Sequence, residues 1–358
     1  MSHKFYIGGG KTATWPELPQ QTFAPVMGLN YRNVLLLQQV SDVSSRSEVD
    51  TSTTFGPFKL KVPIMTAAMD SVSGELMIRT LHKLGALGTL PRAHTSEEMK
   101  ENLNLCKAFS EEKVNCVYSV GLADGFNEAK KYIENGAKMV LIDVAQGGMK
   151  KIVREAEKIK NKYPETHIIV GSICNYNVTK MYKDAGIEYI KLGVGNGSAC
   201  DTRQQAGTGT PQLSAILDAT LVDGVTIIAD AGINYPSDLA LALAAGAKMV
   251  MSGSIFAGTT ETPGKIINGI KTYRGQASAE YMKDHGIKKA HRSIEGISMN
   301  VPYKGDVKYV IENFSAGLRS ALSYSGATNL DEFRERAVFQ YIGENTFTRE
   351  SLPRPEAP

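Results

Sequence analysis

The sequence predicts an α/β fold, a (β/α)8 barrel with N-terminal and C-terminal extensions. Short apolar runs alternate with helix-like stretches, the pattern expected of parallel strands joined by helices. Gly-Ala-Lys-Met-Val occurs at 136–140 and again at 246–250, and a glycine in that position commonly ends a helix. Eight such units indicate a closed barrel. An open doubly wound sheet is the alternative that the periodicity leaves open.

Eight apolar runs rich in β-branched residues are interpreted as strands buried on both faces. They lie at residues 62–66, 86–90, 116–120, 138–144, 167–172, 187–192, 225–230 and 248–252. Residues 62–258 are therefore expected to form the barrel core. Residues 1–60 are expected to be an N-terminal extension and 259–358 an active-site loop with a C-terminal segment, all within a single domain of residues 1–358.

Composition excludes several function classes. The 358 residues carry a net charge of +3 and no run of five or more Lys or Arg residues, so no nucleic-acid partner is expected. No apolar stretch reaches the ~18 residues that a membrane span needs. The first residues lack the pattern of a signal peptide, and four cysteines without a Cys-x-x-Cys pair are no disulfide framework. We expect a cytoplasmic protein with no membrane partner and no zinc site.

A cysteine-bearing loop follows the sixth predicted strand. In (β/α)8 barrels the chemistry lies on loops after the carboxyl ends of the strands. Residues 193–203 read Gly-Val-Gly-Asn-Gly-Ser-Ala-Cys-Asp-Thr-Arg. Cys200 lies close to Thr202 and Arg203, where a cation and loop N–H groups would favour a nucleophilic thiolate. The other cysteines are interpreted as packing residues: Cys106, Cys116 and Cys174.

The last two strand loops predict a nucleotide site. Asp230-Ala231-Gly232 follows the seventh strand and Ser252-Gly253-Ser254 the eighth, where this barrel commonly holds phosphate. A carboxylate repels phosphate but suits a ribose hydroxyl, so Asp230 is assigned to the sugar. The phosphate is assigned to Ser198, Gly232, Gly253 and Ser254. The alternative is that these glycines only turn the chain.

These motifs resemble the IMP dehydrogenase/GMP reductase family. The resemblance covers about residues 31–347 and rests on segments 67–72, 195–203, 207–212, 229–233 and 273–275. The Pro-Gln pair that follows Cys200 at 211–212 makes the cysteine motif highly specific.

Three features favour the reductase branch of that family. Segment 87–115 leaves no room for the regulatory CBS pair that most of the dehydrogenases insert, and residues 273–295 leave none for their mobile Arg-Tyr flap. Segments 45–50, 301–307 and 336–339 also look like the reductases. Against this, segments 67–70, 258–264 and 273–275 look more like the dehydrogenases. A dehydrogenase without CBS modules therefore stays an alternative.

The resemblance implies an NADPH-dependent oxidoreductase that converts GMP to IMP and releases ammonia through a thioimidate on Cys200. Thr202 and Glu295 would relay the proton, although a loop carboxylate capped by Arg292 is the alternative for Glu295. The implied substrate contacts are Ala68, Met69, Ser198, Asp230, Gly232, Ser252, Gly253, Ser254, Tyr273, Gly275, Arg292 and Gly296. The implied cofactor contacts are Arg92, Asp143, Ala145, Gly147 and Ser172.

Two further expectations come from the resemblance. Backbone carbonyls of Gly195, Gly197 and Cys200 would coordinate a potassium ion, and the chain would form a homotetramer. Several positions depart from the family pattern: Asn196, Asp201, Ser172 and segment 91–93. Because these positions surround the expected substrate, a reductase acting on a modified purine nucleotide is a further alternative. Arg274 is equally compatible with a binding role and a structural one.

Overall fold

The computed structural model describes residues 3–8, 11–14, 28–122, 124–287 and 293–343. Its strands are β1 (Lys4–Gly8), β2 (Lys11–Thr14), β3 (Val34–Leu36), β4 (Thr53–Phe55), β5 (Phe58–Leu60), β6 (Ile64–Thr66), β7 (Gly88–Leu90), β8 (Cys116–Val120), β9 (Met139–Asp143), β10 (His167–Ile173), β11 (Tyr189–Leu192), β12 (Thr226–Asp230), β13 (Met249–Ser252), β14 (Ile270–Arg274), β15 (Ser298–Pro302) and β16 (Val338–Tyr341).

Its helices are α1 (Glu75–Leu84), α2 (Ser96–Glu111), α3 (Gly125–Glu134), α4 (Lys150–Lys162), α5 (Tyr176–Asp184), α6 (Thr202–Ala206), α7 (Gln212–Ala219), α8 (Pro236–Ala244), α9 (Ala279–Asp284), α10 (Val307–Tyr324) and α11 (Leu330–Arg336). None of the helices within the described ranges combines the length and apolar character that crossing a membrane requires.

Eight parallel strands form the barrel, in the spatial order β6-β13-β12-β11-β10-β9-β8-β7. A parallel bridge between Met65 and Leu87 joins the two ends of that sheet. Each strand overlaps one of the eight predicted apolar runs, so the (β/α)8 barrel prediction is confirmed and the open-sheet alternative is wrong. Only a short loop and α2 separate β7 from β8, which confirms that no CBS pair is inserted there.

Alternation along each strand explains why the strands read as continuous apolar runs. In β9, Met139 and Leu141 belong to the core inside the barrel, whereas Val140 and Ile142 belong to the core between the barrel and its helices. Both faces are covered, so both sets of side chains are apolar. The hairpin β4–β5 closes one end of the barrel interior, where the Phe55 ring packs edge-on against Tyr189 at 5.4 Å between centroids.

Glycines end several of the helices, as the repeated sequence segments predict. Gly136 follows α3 with a φ of 97°, and Gly246 follows α8 with a φ of 105°. These angles lie in the left-handed region, which residues with a Cβ rarely adopt. Each helix therefore stops just before the next strand begins.

The described parts of the two extensions meet in one small sheet. β16 pairs in parallel with β1 and antiparallel with β3, while β1 also pairs with β2. The His3 ring packs onto the barrel helices, with Nε2 3.0 Å from the Thr220 hydroxyl. In the C-terminal segment, β14 and β15 pair antiparallel. The extent of the single domain stays a prediction.

Helix α1 offers a matched test of how its buried face stabilises the fold. Leu81 is 0% exposed, whereas Leu76 on the same helix is 57% exposed. Leu81→Ala is expected to lower the free energy of unfolding by about 2–5 kcal/mol, because it leaves a cavity in the core. Leu76→Ala should change it by no more than about 0.5 kcal/mol. Equal effects of the two variants in urea denaturation would contradict the observed packing.

Candidate active site

The candidate site lies at the carboxyl ends of the barrel strands, around the loop that follows β11. Gly193 begins this loop with a φ of 153°, and a Cβ there would collide with the Asp230 carbonyl oxygen. Gly195, with a φ of 78°, packs against the Arg203 side chain. These close approaches explain why the loop is rich in glycine, since only glycine combines such angles with such contacts.

A hydrogen-bonded series links the cysteine to a carboxylate. The Cys200 Sγ lies 3.3 Å from the Thr202 Oγ1, and the Thr202 hydroxyl donates to Glu295 Oε2 at 2.8 Å. The Ser293 hydroxyl donates to the other oxygen, Oε1, at 2.9 Å. Because the Thr202 proton points at Glu295, its oxygen is free to accept the thiol proton of Cys200. The structure thus brings together the three residues predicted as catalytic.

Backbone pairing holds the carboxylate segment against the cysteine loop. Cys200 and Gly296 form an antiparallel bridge, and the Asp201 N–H donates to the Glu295 carbonyl at 2.7 Å. A Cβ at Gly275 would lie 2.6 Å from the Ala199 carbonyl oxygen. Gly275 and Gly296 are therefore needed where three chain segments cross. Arg292, a predicted substrate contact and in the alternative interpretation the cap of Glu295, lies outside the described residues.

The four cysteines differ sharply in exposure. Cys106 and Cys116 are buried, Cys174 is half-buried and Cys200 is exposed. Burial raises the pKa of Cys106 to about 11, and burial also raises the pKa of Cys116 far above its ordinary value. Both buried thiols therefore stay protonated at neutral pH. The packing interpretation of these two residues agrees with their surroundings.

Three of the predicted phosphate residues, Gly232, Gly253 and Ser254, follow β12 and β13, while Ser198 lies in the loop after β11. Both Ser252 and Ser254 direct their hydroxyls at the Ile233 carbonyl, at 3.4 and 3.0 Å. A Cβ at Gly253 would lie 2.7 Å from the Tyr273 hydroxyl and 3.0 Å from the Met69 sulfur. Gly253 therefore marks the point where the strand loop, the loop after β6 and β14 converge.

Other predicted substrate residues surround that point. Burial raises the pKa of Tyr273, while a hydrogen bond with Ser198 opposes the shift, so Tyr273 is a neutral phenol beside the cysteine loop. The Ala68 carbonyl accepts a hydrogen bond from the Gln276 side chain. Gly232, with a φ of 77°, lies against the ring of Tyr31, whose hydroxyl has no hydrogen-bond partner within the part of the chain described.

A buried lysine stands between the predicted substrate and cofactor residues. The Lys191 side-chain nitrogen lies 2.5 Å from Asp230 Oδ2, 3.2 Å from Asp143 Oδ1 and 2.7 Å from the Ser172 hydroxyl. Burial alone would lower the pKa of Lys191, but the charges of Asp143 and Asp230 outweigh it and raise the pKa above its ordinary value. Lys191 is therefore an ammonium ion.

Lys191 is absent from the residues that the sequence predicts for the site. The one available signal is a lysine inside the otherwise apolar run 187–192. Lys is almost never fully buried unless it is paired. A charged residue at a strand position buried on both faces therefore predicts carboxylate partners, although it does not say which ones.

The predicted cofactor residues fall into two groups. The Gly147 N–H donates to the Ser172 carbonyl at 2.9 Å, which places Gly147 beside Ser172 and hence beside Asp143 and Lys191. Ala145 is exposed on the same loop. Arg92 lies elsewhere: its Nε donates to the His94 Nε2 at 3.2 Å, and its side chain runs past Gly121.

Arg274 joins the C-terminal segment to the loop after β6. Its guanidinium contacts Asp70 Oδ2 and Asp284 Oδ2, each at 2.5 Å, and lies 5.5 Å from the centre of the Tyr281 ring. The Tyr281 hydroxyl in turn lies 2.6 Å from the His94 Nε2. These contacts favour the structural interpretation of Arg274.

Two residues that depart from the family pattern, Asn196 and Asp201, form side-chain hydrogen bonds with residues in or near the cysteine loop. Asn196 hydrogen-bonds to both Arg203 and Gln212, and Asp201 accepts from the Gln205 amide at 2.6 Å. The Gly197 carbonyl, one of the predicted potassium ligands, accepts the Cys200 N–H at 3.0 Å. The described residues contain no group of three His, Cys, Asp or Glu side chains suited to a metal ion.

Comparison with known proteins agrees with this site. The sequence model of the IMP dehydrogenase / GMP reductase domain matches residues 28–353. The chain belongs to the IMP dehydrogenase/GMP reductase family. This family consists of oxidoreductases of purine metabolism, so the resemblance that the motifs indicate is confirmed.

Relatives from both branches of the family are similar to this chain. GMP reductase 1 of Mus musculus is 35% identical over 331 residues, which cover 87% of this chain and 94% of the relative. GMP reductase 2 of Bos taurus is 32% identical, with coverage of 87% and 93%. The inosine-5'-monophosphate dehydrogenase of Aquifex aeolicus is 40% identical over 224 residues, 59% of this chain and 46% of that enzyme. The reductases therefore align along nearly their whole length.

Differences in cysteine exposure predict the order of alkylation. Iodoacetamide should modify Cys200 first, because it is exposed while Cys106 and Cys116 are buried with raised pKa values. GMP should protect Cys200, and denaturant should abolish the difference among the four. Peptide mass spectrometry at timed intervals measures the order. Earlier modification of Cys106 or Cys174 would contradict the proposed site.

Proposed function

We propose that the protein catalyses the NADPH-dependent reductive deamination of GMP to IMP, with release of ammonia. The observation that carries the proposal is the hydrogen-bonded series from Cys200 through Thr202 to Glu295. A nucleophile, a relay and a carboxylate are what replacement of a purine amino group requires. The full-length similarity to two GMP reductases supports the same reaction.

The residues divide the reaction into two steps. The Cys200 sulfur attacks carbon 2 of the purine, and its proton passes to Thr202 as the Thr202 proton passes to Glu295. Glu295 then returns a proton to the 2-amino group, which leaves as ammonia, and a thioimidate joins carbon 2 to Cys200. In the second step the carbon–sulfur bond breaks, Cys200 leaves as a thiolate and IMP is released.

NADPH supplies, when bound, the hydride that carbon 2 gains. The residues fit such a dinucleotide: Asp143 and Ser172 present an acceptor and a hydroxyl beside Gly147, whose lack of a side chain allows close packing. Arg92 supplies a positive charge near Gly121. Carbonyls of Gly195, Gly197 and Cys200 would hold the proposed potassium ion, since oxygen ligands suit hard cations.

We propose that the substrate residues form three groups, which contact the ribose, the phosphate and the purine. Asp230 accepts from the ribose hydroxyls, while Ser198, Gly232, Gly253, Ser254 and Tyr273 surround the phosphate. Ala68, Met69, Gly275 and Gly296 line the purine, and Ser252 supports the loop that carries Gly253. The neutral phenol of Tyr273 and the close approach of Gly253 support the phosphate assignment.

Two alternatives have specific support. Similarity to the dehydrogenases favours an IMP dehydrogenase without CBS modules. The departures from the family pattern at Ser172 and segment 91–93 favour a modified guanine nucleotide as substrate only if these positions also contact the substrate, because both lie among the residues proposed for the cofactor. Asn196 and Asp201 support this second alternative less, because their side chains have partners inside the loop.

Cofactor absorbance distinguishes these functions. Mixing the protein with GMP and NADPH should consume NADPH and release one ammonia for each cofactor oxidised. NADH formation from IMP and NAD would instead establish the dehydrogenase. No reaction with either pair, together with NADPH oxidation by another 2-amino purine nucleotide, would establish the modified-substrate alternative.

Glu295 can be tested with a substrate that needs no proton to lose its leaving group. Glu295→Gln should lose about 10²-fold or more in turnover of GMP, which is typical of lost general acid catalysis. With 2-chloro-IMP the same variant should still form the Cys200 adduct, because chloride leaves unprotonated and the exposed Cys200 thiol can lose its proton to solvent. Intact-protein mass spectrometry detects the adduct.

Two controls complete this test. Cys200→Ala should form no adduct with 2-chloro-IMP and show no turnover of GMP, while GMP affinity stays within about tenfold because the phosphate and ribose contacts remain. If Glu295→Gln loses adduct formation as severely as turnover, protonation of the leaving amine is not the step that depends on Glu295, and its role is confined to deprotonating Cys200 or shaping the site. Full activity of Glu295→Gln with GMP would exclude the relay.

A further inference from the structure

Four neighbouring strands contribute the polar side chains around Lys191. Asp143 lies at the end of β9, Ser172 in β10, Lys191 in β11 and Asp230 at the end of β12, and these strands are adjacent in the barrel. Lys191 is only 5% exposed. Its ammonium group therefore lies at the top of the barrel interior, between the loops proposed to hold the substrate and the cofactor.

Three groups of the chain surround the ammonium group of Lys191. It donates hydrogen bonds to Asp230 Oδ2 at 2.5 Å and to the Ser172 hydroxyl at 2.7 Å, and it forms an ion pair with Asp143 Oδ1 at 3.2 Å. Lys191 is therefore a fixed central charge that holds both carboxylates.

Each carboxylate keeps one oxygen for a ligand. Lys191 contacts Oδ2 of Asp230 and Oδ1 of Asp143. In the described ranges, the second oxygen of each carboxylate has no hydrogen-bond partner. A carboxylate held at one oxygen and open at the other is suited to accept a ribose hydroxyl, and here two such carboxylates share one cation.

We infer that Lys191 is a positioning residue that couples the two nucleotide sites, because it orients the ribose-binding carboxylates Asp230 and Asp143 together. The inference rests on the proposed function, which assigns Asp230 to the substrate ribose and Asp143 to the cofactor; the open carboxylate oxygen of Asp143 suits the cofactor's ribose in the same way. A nucleotide that fixes one carboxylate also fixes the ammonium, and the ammonium then holds the other carboxylate in place. The second nucleotide consequently binds a site that is already ordered.

The charge balance makes this coupling sensitive to Lys191. Two carboxylates and one ammonium leave one net negative charge in a cluster whose lysine is buried and whose carboxylates are partly exposed. Without the ammonium, two like charges would face each other, and one carboxylate would take up a proton. That carboxylate would lose its preference for a ribose hydroxyl, and no common partner would connect the two sites.

Titration calorimetry measures the coupling directly. The Kd of GMP is determined with and without saturating NADP+, and the Kd of NADP+ with and without saturating GMP. The oxidised cofactor is used so that GMP is not consumed. In the unmodified protein each ligand should tighten the other by about fivefold or more, and by the same factor, as linkage requires.

Lys191→Met should weaken both ligands and bring the coupling factor to within twofold of one. Lys248→Met is the matched control, since the half-buried Lys248 immediately precedes β13 at the opposite end of the barrel. That variant should keep the coupling of the unmodified protein. If Lys191→Met does not fold, the same coupling measurement is made on Asp143→Asn. This variant should abolish the effect of NADP+ on GMP while leaving the Kd of GMP alone within about twofold.

The outcomes separate the inference from the proposed function. Tight binding of both ligands without coupling, or coupling that survives Lys191→Met or Asp143→Asn, would overturn the role of Lys191 alone. Reciprocal coupling that Lys191→Met abolishes supports the inference even if GMP and NADPH do not react, in which case only the proposed reaction fails. If the unmodified protein binds neither nucleotide, both the inference and the proposed function are wrong.

Discussion

Closure of the sheet between β6 and β7 places the carboxyl ends of eight strands around one rim. Everything in the candidate site depends on that closure, because its residues come from strands far apart in the sequence. Thr202 reaches Glu295 across a separation of 93 residues, and Arg274 reaches Asp70 across 204. The carboxylate segment lies between β14 and β15, outside the barrel strands, and backbone hydrogen bonds that include the Cys200–Gly296 bridge hold it against the cysteine loop on this rim.

The barrel interior changes character along its axis. Met65, Leu141 and Ile228 form part of an apolar interior, while Asp143, Lys191 and Asp230 occupy the end that carries the loops. Electrostatic interactions are stronger beside apolar surroundings than in water, which makes the three charges interdependent. The same apolar floor excludes water from below, so the charged groups meet solvent and ligands only from the rim.

Much of the fold follows from local sequence patterns. The apolar runs locate all eight barrel strands, and Gly136 and Gly246 mark the ends of helices because few other residues adopt their φ angles. In the loop at 193–203, the residues next to Cys200 are enough to predict it as the nucleophile. Glu295 could be named only through the family resemblance, since a single carboxylate in a loop has no distinctive pattern.

The remaining features depend on contacts that leave no local signal. The carboxylate partners of Lys191 lie 39 and 48 positions away, and no residue near position 191 predicts them. Arg274 is ambiguous in the sequence and becomes structural only when Asp70 and Asp284 are seen beside it. The small sheet that unites β1, β3 and β16 likewise joins segments from the two ends of the chain.

The central claim is that carbon 2 of the nucleotide is bonded to Cys200 before it is reduced. Acid quenching during turnover of GMP with NADPH, followed by intact-protein and peptide mass spectrometry, tests this most directly. The account predicts a fraction of the protein carrying the mass of GMP less ammonia, located on the peptide that contains Cys200. Rapid turnover with no such adduct at any quench time, together with activity in Cys200→Ala, would contradict it.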